Sequence, residues 1–301
     1  MVKINLLLTG TTGLTGTLFL GHLAKTSPSS EVHCLVRPTS DCRPLESLNL
    51  NIHYLTGDSA INQTWDTILA KHTPTTIIHI ASIRHVPVIL DSLKTSKQTP
   101  HLIVIGTTGV YSQYNQYSQD YKAIEGQLAQ YTGSYCLLRP TMIYGSERDK
   151  NLHKLIKFCD RYGFFPVFGA GNCLLQPIHA DDLAQAILSA LQRPYLQGSY
   201  DLSGGSIVTF RELLVLVKKL LGKPVRQVYL PLNLGVWIGT MLENLLGRRS
   251  PVRREQILRL QEDKAYSHDA AQKDLDFFPR PLAIGLEQEI NLLRGHGVIS
   301  S

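Results

Sequence analysis

The run Leu6-Leu7-Leu8-Thr9-Gly10-Thr11-Thr12-Gly13-Leu14-Thr15-Gly16 leaves this chain few folds to choose from, because an apolar stretch breaks into three evenly spaced glycines and then turns helical. In a G-x-x-G-x-x-G loop that leaves a strand and opens a helix, each glycine has a task. Gly10 makes the tight turn, Gly13 lets the backbone approach a pyrophosphate, and Gly16 permits close packing of helix on strand. Thr12 and Leu14 complete the loop. An anion would sit at the helix N-terminus, on unpaired N–H groups and the positive end of the dipole. Such a loop marks a dinucleotide site only inside a βαβ unit, so the rest of the chain decides.

The rest supplies that unit. Short β-rich runs at 3–9, 32–36, 52–55, 76–80, 102–105 and 135–138 alternate with helical patterns at 14–25, 61–71, 86–97 and 117–130. Strands and helices in this alternation build right-handed βαβ units on a parallel sheet. The fold class expected is α/β, a Rossmann-type doubly wound parallel sheet with a smaller, mostly helical C-terminal substrate lobe. After Arg139-Pro140 helical patterns dominate, at 152–161, 182–191, 210–221 and beyond 232, with short strands near 177–178, 199–202 and 225–230. We therefore expect a nucleotide-binding domain over 1–145 and a substrate lobe over 146–301, with interleaving of lobe segments into the sheet left open.

Composition closes off other classes. At 43% hydrophobic and 18% charged residues, the chain is neither disordered nor coiled coil. The longest weakly charged stretch, 228–246, is broken by Pro231, Asn233 and Glu243 and falls short of a membrane span. A start without a small-residue cleavage site leads to the expectation of a cytoplasmic protein. Five dispersed cysteines form no C-x-x-C pair, and eleven histidines form no H-x-x-x-H or Cys/His cluster, so neither a disulfide framework nor a metal is expected. The net charge of +6 suits an anionic ligand. The basic residues are scattered except for Arg248-Arg249 and Arg253-Arg254, which follow the apolar stretch at 230–246. Nucleic acid is not expected as a partner. That apolar stretch with its basic end reads as a buried helix, with a lipid-surface contact or a lid over a sugar diphosphate as alternatives.

Cofactor choice turns on the end of the second strand, where an acid would accept from a ribose 2′-hydroxyl and an Arg would pair with a 2′-phosphate. The chain reads Cys34-Leu35-Val36-Arg37-Pro38, so NADP is favoured over NAD. Asp58, after Gly57 at the third strand end, suits a contact with the adenine amino group, and Ala81-Ser82 after the fourth would line the cofactor. Both pairs also suit plain strand-ending turns. Asp181 or Asp182 is expected to cap the helix that follows, with His179 a packing or substrate-side residue.

With these motifs the chain resembles the extended short-chain dehydrogenase/reductase superfamily, in its nucleotide-sugar epimerase/dehydratase branch. The resemblance rests on the glycine loop, on 77–81, on Thr107-Thr108-Gly109-Val110-Tyr111, on 138–145, on 176–184 and on 276–282. It implies a Ser or Thr that polarises a substrate oxygen, and a Tyr that moves a proton while a Lys one helical turn later lowers the phenol's pKa. Thr107 matches the first. Counting back from Glu125 puts Tyr117 at the tyrosine, but Tyr121 stands where the lysine belongs, and Lys122 is one residue late, about 100° around a helix. Anchoring on Lys122 makes the partner Ser118, which has no phenol; a kink before Lys122 would restore the proximity.

The segment between the fourth and fifth strands is also shorter than in extended members. Such departures resemble atypical members, among them the accessory subunit of respiratory complex I. Two functions follow as expectations: an NADP-dependent oxidoreductase or epimerase/dehydratase acting on a nucleotide sugar through Thr107, Tyr117 and Lys122, or a non-catalytic NADP(H)-binding sensor or assembly protein. A homodimer is compatible with either.

Overall fold

The computed structural model describes residues 2–149, 151–193, 196–247 and 254–300. Seven strands form one sheet: β1 (Val2–Thr9), β2 (Glu31–Val36), β3 (Asn51–Thr56), β4 (His72–His79), β5 (His101–Ile105), β6 (Tyr135–Pro140) and β7 (Gly198–Leu202). All pairings are parallel, in the order β7-β6-β5-β4-β1-β2-β3. The order reverses at β1, and this switch point opens a crevice at the carboxyl ends of the strands.

Alternation along the strands explains why the sheet is covered on both faces. Leu6 and Leu8 of β1, with Val32, Cys34 and Val36 of β2, pack on Phe19, Leu20 and Leu23 of the helix Leu14–Thr26 and on Leu183, Ala184 and Ile187 of the helix Ala180–Leu191. Leu7, Leu35 and Ile77 point the other way, onto Trp65, Ile68 and Leu69 of Asn62–Lys71 and Ile89 and Leu93 of Val86–Ser96. Period two in the strands and three-to-four in the helices thus give two apolar layers.

A separate core holds the C-terminal lobe. Leu155, Ile156 and Cys159 of Leu152–Tyr162 meet Leu213, Leu214 and Val217 of Phe210–Leu221 and Leu286, Ile290 and Leu293 of Leu282–Gly295. Thr209 and Glu212 form a capping box at the start of Phe210–Leu221, and Gly222 ends it in the left-handed conformation. The strand Phe164–Phe168, which carries Pro166, was not among those expected; among the described residues it pairs with Arg226–Leu230, in a two-stranded ladder that tolerates the missing donor.

Chain from beyond residue 146 also returns to the sheet, as β7 beside β6 and as Ala180–Leu191 against the first helix. The helix Leu232–Leu246 exposes Leu234, Trp237, Met241 and Leu245, so it is not the wholly buried element expected; Arg248, Arg249 and Arg253 lie outside the described residues. Among the described residues no helix is long and apolar enough to cross a membrane. All five cysteines are free, and four are buried.

Two glycines of the first helix make a sharp internal comparison. A Cβ on Gly16 would stand 2.3 Å from the Gly10 carbonyl oxygen and 2.6 Å from the Thr11 Cα, so Gly16 packs against its own loop rather than against the strand as anticipated. At Gly21, in the same helix, a Cβ meets nothing within 4 Å. Gly16→Ala should therefore cost about 1–3 kcal/mol, as overpacking against backbone does. Gly21→Ala should stabilise by about 0.5–1 kcal/mol. Urea unfolding of the two variants beside the parent protein checks both signs.

Candidate functional site

At the switch point, β1 ends in a turn that only glycine accepts. Gly10 has φ +74°, and a Cβ there would stand 2.7 Å from the Ala81 N and 2.9 Å from the Ile80 carbonyl carbon. Beneath it, buried His79 ties the two strand ends together: Nδ1 meets the Thr9 hydroxyl at 2.7 Å and Nε2 meets the Ser82 carbonyl at 2.9 Å. Burial holds this imidazole down at about 4, so the ring is neutral at pH 7.

The loop then opens the helix with Gly13 as its N-cap, with no side-chain cap and no acid in the first turn. The Gly13 N–H donates to the Gly10 carbonyl at 3.1 Å, and Gly13 itself is exposed. The helix start, with its unpaired N–H groups, therefore faces a cleft of about 670 Å³ lined by Gly10, Gly13, Leu14 and Gly16 on one side and by Thr107, Ser112, Thr141 and Met142 on another. The second lobe closes the cleft with Arg148, Asp149, Arg259, Glu262, Lys264 and Tyr266. The Arg148 guanidinium donates to the Thr12 carbonyl, laying a positive charge along the rim of the glycine loop.

Further out, Arg37 is exposed just past β2, and Asp58 accepts from the Ala60 N–H at 2.9 Å while facing His85. Ala81 and Ser82 are half-buried at the end of β4, where Ser82 leads into the 3₁₀ turn Ile83–His85. The glycine loop, Arg37, Asp58 and Ala81-Ser82 thus all lie at the carboxyl ends of β1 to β4.

The residues named for proton transfer are less closely gathered. Thr107 faces the cleft at the end of β5, and its hydroxyl accepts from the Gly109 N–H at 3.0 Å. Tyr117 is the N-cap residue of Ser118–Ala129 but does not line the cleft; the Arg84 guanidinium lies over its ring at 4.8 Å, and Tyr121 sits one turn below. Lys122 is exposed on that helix. The acid that set this register, Glu125, binds Arg139 through two bonds of 2.9 and 2.7 Å. Tyr111 donates to Asp201 beside them, at 3.0 Å. Burial pushes Tyr111 up to about 12, with the Asp201 charge adding to it.

Sequence reasoning missed the second-lobe side of the cleft. Glu262 accepts from the Ser112 hydroxyl at 2.7 Å and from the Gln113 N–H at 2.6 Å, clamping the loop that enters the Tyr117 helix. Lys264 donates to the Arg259 carbonyl at 2.7 Å, and burial lowers its pKa from the ordinary lysine value. Asp149 accepts from the Asn151 N–H at 2.6 Å; behind it, burial and Asp149 itself push fully buried Glu289 up to about 10, so Glu289 holds a proton.

Asp181 and Asp182 do not cap Ala180–Leu191. His179 does, its Nδ1 accepting from the Asp181 N–H at 3.2 Å. The two carboxylates instead hold Arg280, at 2.5 and 2.8 Å, and Asp181 also meets His22 at 2.6 Å. A cation carried in from the far end of the lobe wins both acids from the backbone.

The segment 6–97 matches the NAD dependent epimerase/dehydratase family. Over 156 residues the chain is 27% identical to the mitochondrial NADH dehydrogenase [ubiquinone] 1 alpha subcomplex subunit 9 of Arabidopsis thaliana, covering 48% of this chain and 39% of that protein. Over 176 residues it is 26% identical to short-chain dehydrogenase/reductase family 42E member 1 of Mus musculus, covering 54% of this chain and 44% of that one. The matched stretches thus span less than half the length of these relatives. Among solved structures, UDP-glucuronic acid 4-epimerase from Bacillus cereus, in complex with UDP-glucuronic acid and NAD, superimposes with a TM-score of 0.72 at 17% identity, covering 97% of this chain and 100% of that one. The resemblance to the extended short-chain dehydrogenase/reductase superfamily is borne out, and the fold is that of its epimerase/dehydratase branch.

His79 generates a pH prediction. Its folded-state value near 4 lies below the ordinary 6.5, so the stability it contributes is complete above pH 6.5 and is lost as pH falls toward 4. The expected loss is roughly 3 kcal/mol. Urea unfolding at pH 7 and pH 4.5 should show a smaller difference in His79→Gln than in the parent protein.

Proposed function

We propose that the chain binds a nicotinamide dinucleotide, NADP(H) in preference to NAD(H), and uses it on a carbonyl or alcohol carbon of a nucleotide sugar or a related substrate. The observation that carries this reading is the uncapped helix start behind Gly13, open to the cleft and flanked by Arg148, since such an end favours an anion such as a pyrophosphate. The loop fits the group: Gly10, Thr12, Gly13, Leu14 and Gly16 would take the pyrophosphate, Arg37 the 2′-phosphate and Asp58 the adenine, and Ala81 and Ser82 would line the cofactor. When bound, a nicotinamide gives or takes a hydride at the substrate carbon.

The chain's own part is to hold the reacting oxygen and move its proton. Thr107 faces the cleft with its hydroxyl hydrogen uncommitted to the Gly109 bond and orients that oxygen. Tyr117 is the proton donor or acceptor. Arg84 over its ring supplies a cation beside the phenol, while Lys122 lies one position around the helix. Nucleotide-sugar substrates are drawn from the B. cereus enzyme, and five free thiols suit a reducing compartment such as the cytoplasm.

A second reading has a specific observation in its favour. Tyr121 occupies the position of the lysine and Tyr117 stands off the cleft, as suits a protein that binds NADP(H) without turnover; the A. thaliana relative is a respiratory-complex subunit by name.

Two measurements test these readings, the first the cofactor both share and the second the turnover that separates them. Titration of NADPH and NADH should show tighter NADPH binding in the parent protein, and Arg37→Ala should weaken NADPH about 10–100-fold while sparing NADH. Equal affinities in the parent protein would remove the NADP assignment. NADPH oxidation across a panel of keto-sugar nucleotides should then find a substrate, and Tyr117→Phe should lower its turnover by about 10²–10⁴-fold with NADPH binding intact. Tight NADPH binding with no turnover on the whole panel supports the second reading.

A further inference from the structure

At the end of the sheet opposite the cleft, the strand register gathers side chains that are far apart along the chain. Glu31 and His33 are two residues apart on β2, so they share a face. His33 is paired directly with His53 of β3, which brings the two imidazoles together on that face. The rings stack at 4.8 Å with 16° between their planes, and His53 Nε2 meets Glu31 Oε1 at 2.9 Å. His72, where the helix Asn62–Lys71 hands over to β4, brings a third ring within 5.8 Å of His33.

One nitrogen from each of His33 and His53 and one oxygen of Glu31 lie within 4.8 Å of one another. His33 is only 8% exposed, and its Nδ1 is buried with no hydrogen-bond partner; the Nδ1 of His72 is buried in the same condition. Buried polar atoms ordinarily find partners, so two orphaned imidazole nitrogens in one cluster call for a ligand.

We propose that Glu31, His33 and His53, with His72 or water in the fourth position, bind a divalent transition-metal cation of the zinc class. Two neutral imidazoles and a carboxylate are a donor set that Zn²⁺ takes. A tetrahedral zinc site sets its ligand atoms about 3.3 Å apart, so closure asks for a movement of little more than an ångström. Glu31 and His53, with side chains 57% and 44% exposed, are free to swing while His33 stays fixed in the sheet. The ion would staple β2 to β3 at the end remote from the glycine loop, a binding function independent of any nucleotide.

The test is a titration of metal-free full-length protein with ZnCl₂ against a competing chromogenic chelator, followed by thermal melts with and without Zn²⁺. One equivalent should bind, and the melting temperature should rise by several degrees because the ion binds only the assembled site. His53→Gln changes an exposed side chain and leaves the fold intact; it should weaken zinc at least tenfold and abolish the thermal shift. His33→Gln should do the same, with His53→Gln deciding the matter if that buried change prevents folding. His153→Gln, a change in the other lobe, should leave zinc binding as it is. Equal zinc affinity in the parent protein and His53→Gln, or loss in His153→Gln alone, would overturn the site. NADPH affinity should not respond to Zn²⁺ or to His53→Gln, so failure here and failure of the nucleotide reading are read separately.

Discussion

The close approach of two strand ends at the switch point is the constraint on which the rest of the site depends. Gly10 lets β1 turn within van der Waals reach of the backbone at Ile80 and Ala81. His79 then secures the contact from below through Thr9 and Ser82. A side chain at position 10 would push β1 away from β4 and carry the helix start with it. A charged imidazole at 79 would lose its acceptor role toward Thr9 or demand solvation that a buried strand end cannot give. Backbone packing and a neutral histidine therefore place the N–H groups that face the cleft, before any ligand is considered.

The second lobe is held to this frame by charge as much as by apolar contact. Arg280, reaching back to Asp181 and Asp182, locks the last helix of the lobe to the helix that covers the sheet. Asp181 extends the tie to His22 on the first helix. On the other wall, Glu262 holds the loop that delivers Tyr117, and Arg148 touches the glycine loop itself. The Arg280, Asp182, Asp181 and His22 bonds are partly buried, and there an ionic partner contributes more than at an open surface and losing one partner strands the other.

What could be read from sequence was what is local. The glycine loop, the alternation of strand and helix, and the register of Tyr117 against Glu125 all lie within short windows and obey fixed periods. The seventh strand was legible as a strand at 199–202, but its place beside β6 depends on a crossover that periodicity does not reveal. Arg148 and Glu262 were missed because each acts on a partner distant in sequence, and Lys264 because its place at the cleft is set by its backbone N–H donating to the distant Leu174 carbonyl. The capping role given to Asp181 or Asp182 failed for the same reason: the local rule holds until Arg280 arrives to compete. Glu31, His33 and His53 show the converse case, where residues separated along the chain become neighbours through strand register alone.

The position of β7 has a consequence for how the molecule comes to be folded. β6 ends at Pro140 and its outer neighbour begins at Gly198, with the first long helix of the lobe made in between. A nascent chain therefore carries Cys136, Leu137 and Leu138 on an open sheet edge until the intervening segment has emerged and β7 can dock. Pairing across so long an insertion is slow and leaves an apolar edge available to other chains meanwhile. Synthesis of the lobe, rather than collapse of the nucleotide-binding half, is then the step that closes the window for misassembly.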